Sequence, residues 1–326
     1  MEIRWITPDG VTRPTVEDLP RLLKEDTGVV WVDIPAGDPE AGPVLTDVFG
    51  FHPKAVRDCV ERAAIPKVHV YPDHVFVVLH APKIGVGGHV HFIELDQFIG
   101  PNYLVTVHGP LNPAVEAAEA QVEVQAVRNR IVSGRFRPET SYHLSHALVS
   151  TLTGRMREHI ATLTQEVWRL EQAVTGDHYG DPEKFLDEMF RARHGLLTVK
   201  TMCTLSGEVY GRIAKIRVFG DGGEFVLDDT VDQFHRLGVM ADSQKDYLQG
   251  TIEFYQARTN TKMTIAAERL AVIAAITLPV TALSSVLGMN VIVNETTHWG
   301  ALAVLLGIML VMSLSLLVWA KRKGWF

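Results

Sequence analysis

Apolar residues change their spacing along the chain. Up to about Val107 they come in short β-branched runs, Val29–Ile34, Val75–Leu79 and Leu104–Val107, which predict strands. Between them lie stretches with helical spacing, Val16–Lys24 and Pro53–Arg62. The alternation predicts an α/β domain with its strands in the core. After Pro113 the spacing turns helical and stays so. Along Ser141–Thr175 apolar residues recur every three to four positions, at Leu144, Leu148, Leu152, Met156, Ile160, Leu163 and Val167. This predicts an amphipathic helix that Gly176 stops. Asp181-Pro182-Glu183, an N-cap acid with proline at the first helical position, starts a second helix expected to run to about Phe219, before Gly220-Asp221-Gly222-Gly223. The two make a helical hairpin (about 140–219) on the outside of the domain. From Leu227 to Leu287 only Gly238, Gly250 and Pro279 interrupt a continuous helical pattern. At about 1.5 Å per residue such a helix reaches roughly 90 Å, far beyond one membrane, and would couple the domain rigidly to whatever lies at its end. Pro279 predicts a mild kink, which membrane helices tolerate.

Within that helix, Leu270–Leu287 is an uncharged run of about 18 residues, the minimum for a membrane span. It stops at Gly288-Met289-Asn290. A second uncharged run, Trp299–Ala320, follows after a short loop and is succeeded by Lys321, Arg322 and Lys323. Two spans so close together predict a membrane hairpin, and the basic tail places both termini in the cytoplasm. The expected organisation is therefore a cytosolic α/β domain at 1–225, with the helical hairpin inside it. A stalk and pore-lining helix at 226–290 follows, including the first span (about 266–287). An outer loop at 291–298, a second span at 299–320 and a basic cytoplasmic tail at 321–326 complete it.

Composition narrows the partners. A formal charge of −7 argues against nucleic acid and suits the attraction of cations. Cys59 and Cys203 have no CxxC spacing, so neither a zinc knuckle nor a disulfide framework is indicated. Met1-Glu2-Ile3-Arg4 has no basic region followed by an apolar one, so insertion is expected through the C-terminal spans rather than a secretory signal. No Walker loop, HExxH or GxSxG pattern occurs, so no enzyme is expected and transport would be passive.

Gly288-Met289-Asn290 at the outer end of the penultimate span, with a basic tail ending Gly324-Trp325-Phe326, resembles the CorA family of magnesium channels and transporters. Tyr255, Asn260, Lys262, Met263 and Pro279 match it at family-like spacing, as do the strand-like segments Pro66–Tyr71, Val77–His80 and Asn102–His108. The resemblance implies a funnel-shaped homopentamer in the cell membrane, in contact with lipid and carrying Mg2+, with Co2+ and Ni2+ as further cargo. The family's Tyr before the glycine is replaced here by Leu287.

For the site, the resemblance assigns Gly288, Met289 and Asn290 to ion selection at the outer mouth. Magnesium releases its water reluctantly, so neutral acceptors around a hydrated ion suit it, and a ring of Asn290 amides supplies them. Read alone, Gly288-x-Asn290 equally describes a helix C-cap. Family spacing then gives a pore-lining face of Thr281, Leu278, Ala274, Leu270, Ala267, Thr264, Asn260 and Glu253, with Leu278 and Leu270 as apolar gates. Ordinary helix packing is the alternative, since Ala and Thr are common at membrane helix contacts. Thr264 stands where the family often has Asn, and Ala267 where a larger residue is common.

Glu295, the sole acid of the outer loop, concentrates cations at the mouth or is simply solvated. Lys321, Arg322 and Lys323 ring the pore helices in the family and anchor the second span on any reading, while Glu268 and Arg269 set membrane depth. Asp229 and Asp232 resemble the family's regulatory magnesium acids; an acidic first turn complementing the helix dipole is the other reading. The family's partner acid is missing from the Lys83–Gly88 loop, and His89 and His91 follow on one strand face. As imidazole suits zinc, a zinc transporter of the same superfamily is a rival, with Zn2+ as the ion. A membrane-anchored receptor or scaffold that transports nothing is the rival from another class.

Overall fold

The computed structural model describes residues 1–25, 27–85, 90–109, 113, 115–178, 180–216, 224–288 and 299–322. It comprises two compact units, Met1–Thr251 and Ile252–Phe326.

The first unit is built on a seven-stranded sheet. Its strands are β1 (Glu2–Thr7), β2 (Gly10–Thr12), β3 (Val29–Ile34), β4 (Lys67–Val70), β5 (Val75–Ile84), β6 (Val90–Ile99) and β7 (Tyr103–His108). They lie in the order β2-β1-β3-β7-β6-β5-β4. Neighbours are antiparallel except β3 and β7, which run parallel with Val32 opposite Val105. Two short helical pieces, α1 (Leu19–Leu22) and α2 (Ala41–Pro43), and α3 (Pro53–Val60) lie between β2 and β4 in the chain. Helices α4 (Val122–Val132), α5 (Ser141–Gly176) and α6 (Pro182–Ile216) follow the sheet, then α7 (Glu224–Gly288) and α8 (Trp299–Arg322).

Both faces of the sheet are covered, which explains why its strands read as unbroken apolar runs rather than alternating ones. Along β5, Val75, Val77 and Leu79 join a core shared with α4, α5, α6 and the start of α7. The intervening Phe76 and Val78 join a second core with α1 and α3. Trp31 divides the same way from Val30 and Val32, and its indole N–H donates to Thr106 Oγ1 at 3.2 Å.

Four details differ from the sequence expectations. The Val16–Lys24 helix is a 3-10 turn (Val16–Asp18) followed by α1, and the Pro53 helix ends at Val60. Gly176 does not stop α5. Asp177 does, in the left-handed region at φ 61°, with its N–H on Val174 O and the N–H of His178 on Ala173 O. That pair of bonds, with Asp177 in the left-handed position, closes the helix end one residue beyond Gly176. Lys83 and Ile84 belong to β5 rather than to a loop, because the β5–β6 ladder extends to Lys83–His91 and Ile84–Val90. Phe219, the expected end of α6, lies outside the described residues, as does His89.

The first unit reaches past residue 225. Val226, Leu227, Phe234, Leu237, Ala241 and Leu248 of α7 are buried, so the early turns of this helix contribute to the unit. In the second unit burial along α7 falls away. Beyond Tyr255 its only fully buried described side chain is Val272.

Candidate ion pathway

Every described residue of the expected pore-lining face lies on α7 within the second unit. Glu253, Asn260, Ala267, Ala274, Thr281 and Gly288 are spaced by seven residues. A strict seven-residue series keeps one line on a helix that supercoils with copies of itself, because such packing winds at about 3.5 residues per turn. Thr264, Leu270 and Leu278 flank that line. No residue on the line itself is a branched aliphatic, whereas Ile265, Val272, Ile273 and Ile276 fall off it.

The face is bare. Leu270 is 67% exposed and Leu278 66%, and only Ala274 is partly covered. Of the most apolar window in this helix, 6% is buried. Threonine hydroxyls along it are already spent as donors: Thr264 bonds to Asn260 O at 3.0 Å, Thr277 to Ile273 O at 2.9 Å and Thr281 to Thr277 O at 2.8 Å. Each oxygen thus keeps its lone pairs for an incoming donor. Pro279 sits inside the helix without ending it. Met289, Asn290, Glu295 and Lys323 lie outside the described residues. Lys321 and Arg322 end α8 and are exposed.

In the first unit Asp229 and Asp232 stand beyond the first turn of α7, so the helix-start reading does not fit them. Each has its own partner. Asp229 Oδ2 lies 2.8 Å from His146 Nε2 on α5 and accepts from Gln233 Nε2 at 2.6 Å. The bond from His146 holds this carboxyl below its ordinary value against the opposing effect of burial. Asp232 pairs one turn on with Arg236 at 2.7 Å. Sequence reasoning missed the His146 contact because its partners are 83 residues apart and no local pattern links them. Lys83, in the stretch that lacks the partner acid, is bonded to Glu119. His91 is on β6. Among the described residues no group of three His, Cys, Asp or Glu side chains converges as metal ligands.

A helix apolar over a membrane's thickness, left bare by its own chain and marked by a seven-residue line of small and polar residues, fits a membrane protein whose helices pack against copies of themselves. The sequence profile of the CorA-like Mg2+ transporter proteins matches residues 26–322, and the chain belongs to that family. It is therefore a divalent metal ion transporter of the membrane and not an enzyme. YfjQ, a Bacillus subtilis protein provisionally named as a metal ion transporter, is 24% identical over 310 residues, 94% of this chain and 92% of YfjQ. The cobalt/magnesium transport protein CorA of Thermotoga maritima is 22% identical over 323 residues, covering 93% of this chain and 85% of that one. The complete structure of the CorA magnesium transporter from Methanocaldococcus jannaschii superposes with a TM-score of 0.80 at 15% identity, over 100% of this chain and 99% of its own. At that identity the likeness concerns the fold, which is the α/β domain with long helices expected from the sequence.

Proposed function

We propose that the protein conducts hydrated Mg2+ passively, with Co2+ and Ni2+ as further cargo, through a homopentameric pore lined by α7 in the cell membrane, its termini cytoplasmic. The observation that carries this reading is the seven-residue line from Glu253 to Gly288 on a helix otherwise apolar and bare. One such helix encloses nothing. Copies placed around an axis turn the line inward, where small side chains leave room and Thr281 offers acceptor oxygens. A magnesium ion that keeps its water shell presents O–H donors outward, and acceptors are what it meets: Thr281 within the span and Asn290 at its outer end. Leu278 and Leu270 form apolar rings that close the path by excluding water. The Thermotoga relative's name, which specifies cobalt and magnesium, supports this choice of ion.

Asp229 and Asp232 act as weak cytosolic magnesium sensors in this scheme. Their charges are partly committed to His146, Gln233 and Arg236, which leaves less for a shared ion. Glu295 attracts cations to the outer mouth, and Lys321, Arg322 and Lys323 fix the second span at the cytoplasmic face.

The test is uptake of Mg2+, Co2+, Ni2+ and Zn2+ side by side in proteoliposomes, with Asn290→Ala alongside. Magnesium uptake by the wild type and none by an intact Asn290→Ala assembly is the expected result. Zinc uptake without magnesium would make it a zinc transporter. The absence of any flux would leave a membrane-anchored scaffold, and full flux through Asn290→Ala would reduce that residue to a helix cap.

A further inference from the structure

On the face of the sheet that packs against α3, two acids of β6 are buried where apolar residues are the rule. Asp96 is wholly inaccessible and neither of its carboxyl oxygens receives a hydrogen bond. Glu94, two residues earlier and so on the same face, is nearly as deep. One of its oxygens accepts from the backbone N–H of Ala63 at 2.9 Å and the other, Oε1, accepts nothing. Two residues apart on one face of β6 and both buried, the two carboxyl groups are neighbours that feel each other's charge. His80, opposite Glu94 in the β5–β6 ladder, reaches the same residue from the other side, with Nε2 2.8 Å from Ala63 O. Glu94 and His80 thus hold both polar groups of Ala63, in the connection between α3 and β4. Gly109 lies against the Glu94 stem so closely that an added Cβ would stand 2.6 Å from Glu94 Cβ.

Two buried carboxylates with a single N–H donor between them do not both stay charged in such a place, because each loses its water and repels the other. The charged and titratable groups around them do not remove the problem. Lys67 on β4 is committed to Asp58 of α3 at 2.8 Å. Arg62 reaches Phe92 O at 3.5 Å, and Cys59 of α3, whose thiol donates to Ala55 O at 3.3 Å, lies beside Asp96 and is pushed first by burial and then by the Asp96 charge toward the neutral thiol, so it brings no positive charge to the pair. His80 uses one ring nitrogen on Ala63 and keeps Nδ1 unpartnered. A metal ion would need a third ligand, and none converges among the described residues.

We propose that Asp96 and Glu94 share one proton, carried by Asp96 and accepted by Glu94 Oε1, and that this proton locks the α3–β4 connection onto the sheet through Ala63. Loss of the proton leaves two like charges in contact, and the pair separates by freeing Glu94, and with it Ala63, toward water. Burial raises both groups above the ordinary carboxylate range, Glu94 to about 7, with repulsion from Glu94 adding to the effect on Asp96. The sign follows from linkage. A folded-state affinity for the proton above the unfolded one stabilises the lock fully at low pH, and the contribution is lost as pH rises through the pair's upper step.

Two measurements on the full-length protein in detergent test this. Infrared spectra at neutral pH should show a protonated carboxyl C=O band that Asp96→Asn lacks. Hydrogen exchange of the peptide spanning residues 61–66 should show opening that grows in the wild type by up to about tenfold per pH unit as pH rises from the ordinary carboxylate range toward the pair's upper step and levels off beyond it, relative to Asp96→Asn, whose amide is neutral at every pH. Equal pH dependence in the two proteins, or an unchanged band, would overturn the shared proton. Should Asp96→Asn fail to fold, the wild type alone decides: the band must fade with rising alkalinity as protection at Ala63 falls, and a band that is absent or constant refutes the proposal.

Discussion

Gly28 shows how a single residue type is dictated by its surroundings. It enters β3 at φ +89°, and a Cβ there would stand 2.7 Å from Ile6 O, a backbone atom of β1 that cannot step aside. Left-handed conformation costs an L-residue about 1–2 kcal/mol, and the clash adds to it. Gly28→Ala is therefore expected to destabilise the first unit by about 2 kcal/mol or more, read as a lowered midpoint in denaturant unfolding. An unchanged midpoint would mean that β1 and β3 shift apart at little cost. The same close view explains which residues the sequence revealed. Gly288-Met289-Asn290 and the leucines of the span are legible because they sit in local patterns, a punctuated end and a helical repeat. The contacts of Asp229 with His146 and of Glu94 with Ala63 depend on segments distant in the chain, and no spacing announces them.

Among the elements, α7 carries two different jobs along one helix. Its first turns present Phe234, Leu237, Ala241 and Leu248 to the core, while its later turns present the seven-residue line. The long helices were legible because apolar periodicity holds over many turns. α5 and α6 start where Ser141 and Pro182 predicted. The edge hairpin of β1 and β2 and the full length of β5 were not, since their limits are set by partners across the sheet. If Leu278 closes the pathway by excluding water, Leu278→Thr should wet the constriction and raise basal uptake of Mg2+ several-fold. Flux equal to wild type would take the gate away from this ring. At the other end of the helix, Asp229→Ala with Asp232→Ala should weaken inhibition of current by internal magnesium. Patch-clamp recordings that superimpose for the two proteins would assign both acids to intrachain bonds alone.

For the whole molecule, the bare α7 and the exposed apolar residues of α8, Val304, Leu306, Leu310 and Val311 among them, are surface that water does not tolerate at this extent. Lipid and further copies of the chain are the available cover. Native mass measurement in detergent is expected to give a pentamer, and a monomer or dimer as the sole species would end the pore reading, since too few α7 helices would surround an axis. The sheet has a consequence of another kind, in time rather than space. Its one parallel pair joins β3 to β7, with Val30 opposite Tyr103. While β5, β6 and β7 meet through short connections and can zip together early, β3 must wait for a strand far along the chain, and closing so long a loop comes before any reward from the contact. A nascent chain halted before Tyr103 would hold β1, β2 and β3 as an unfinished edge, so the slow step in assembling this domain is the docking of β7, already zipped to β6, onto β3.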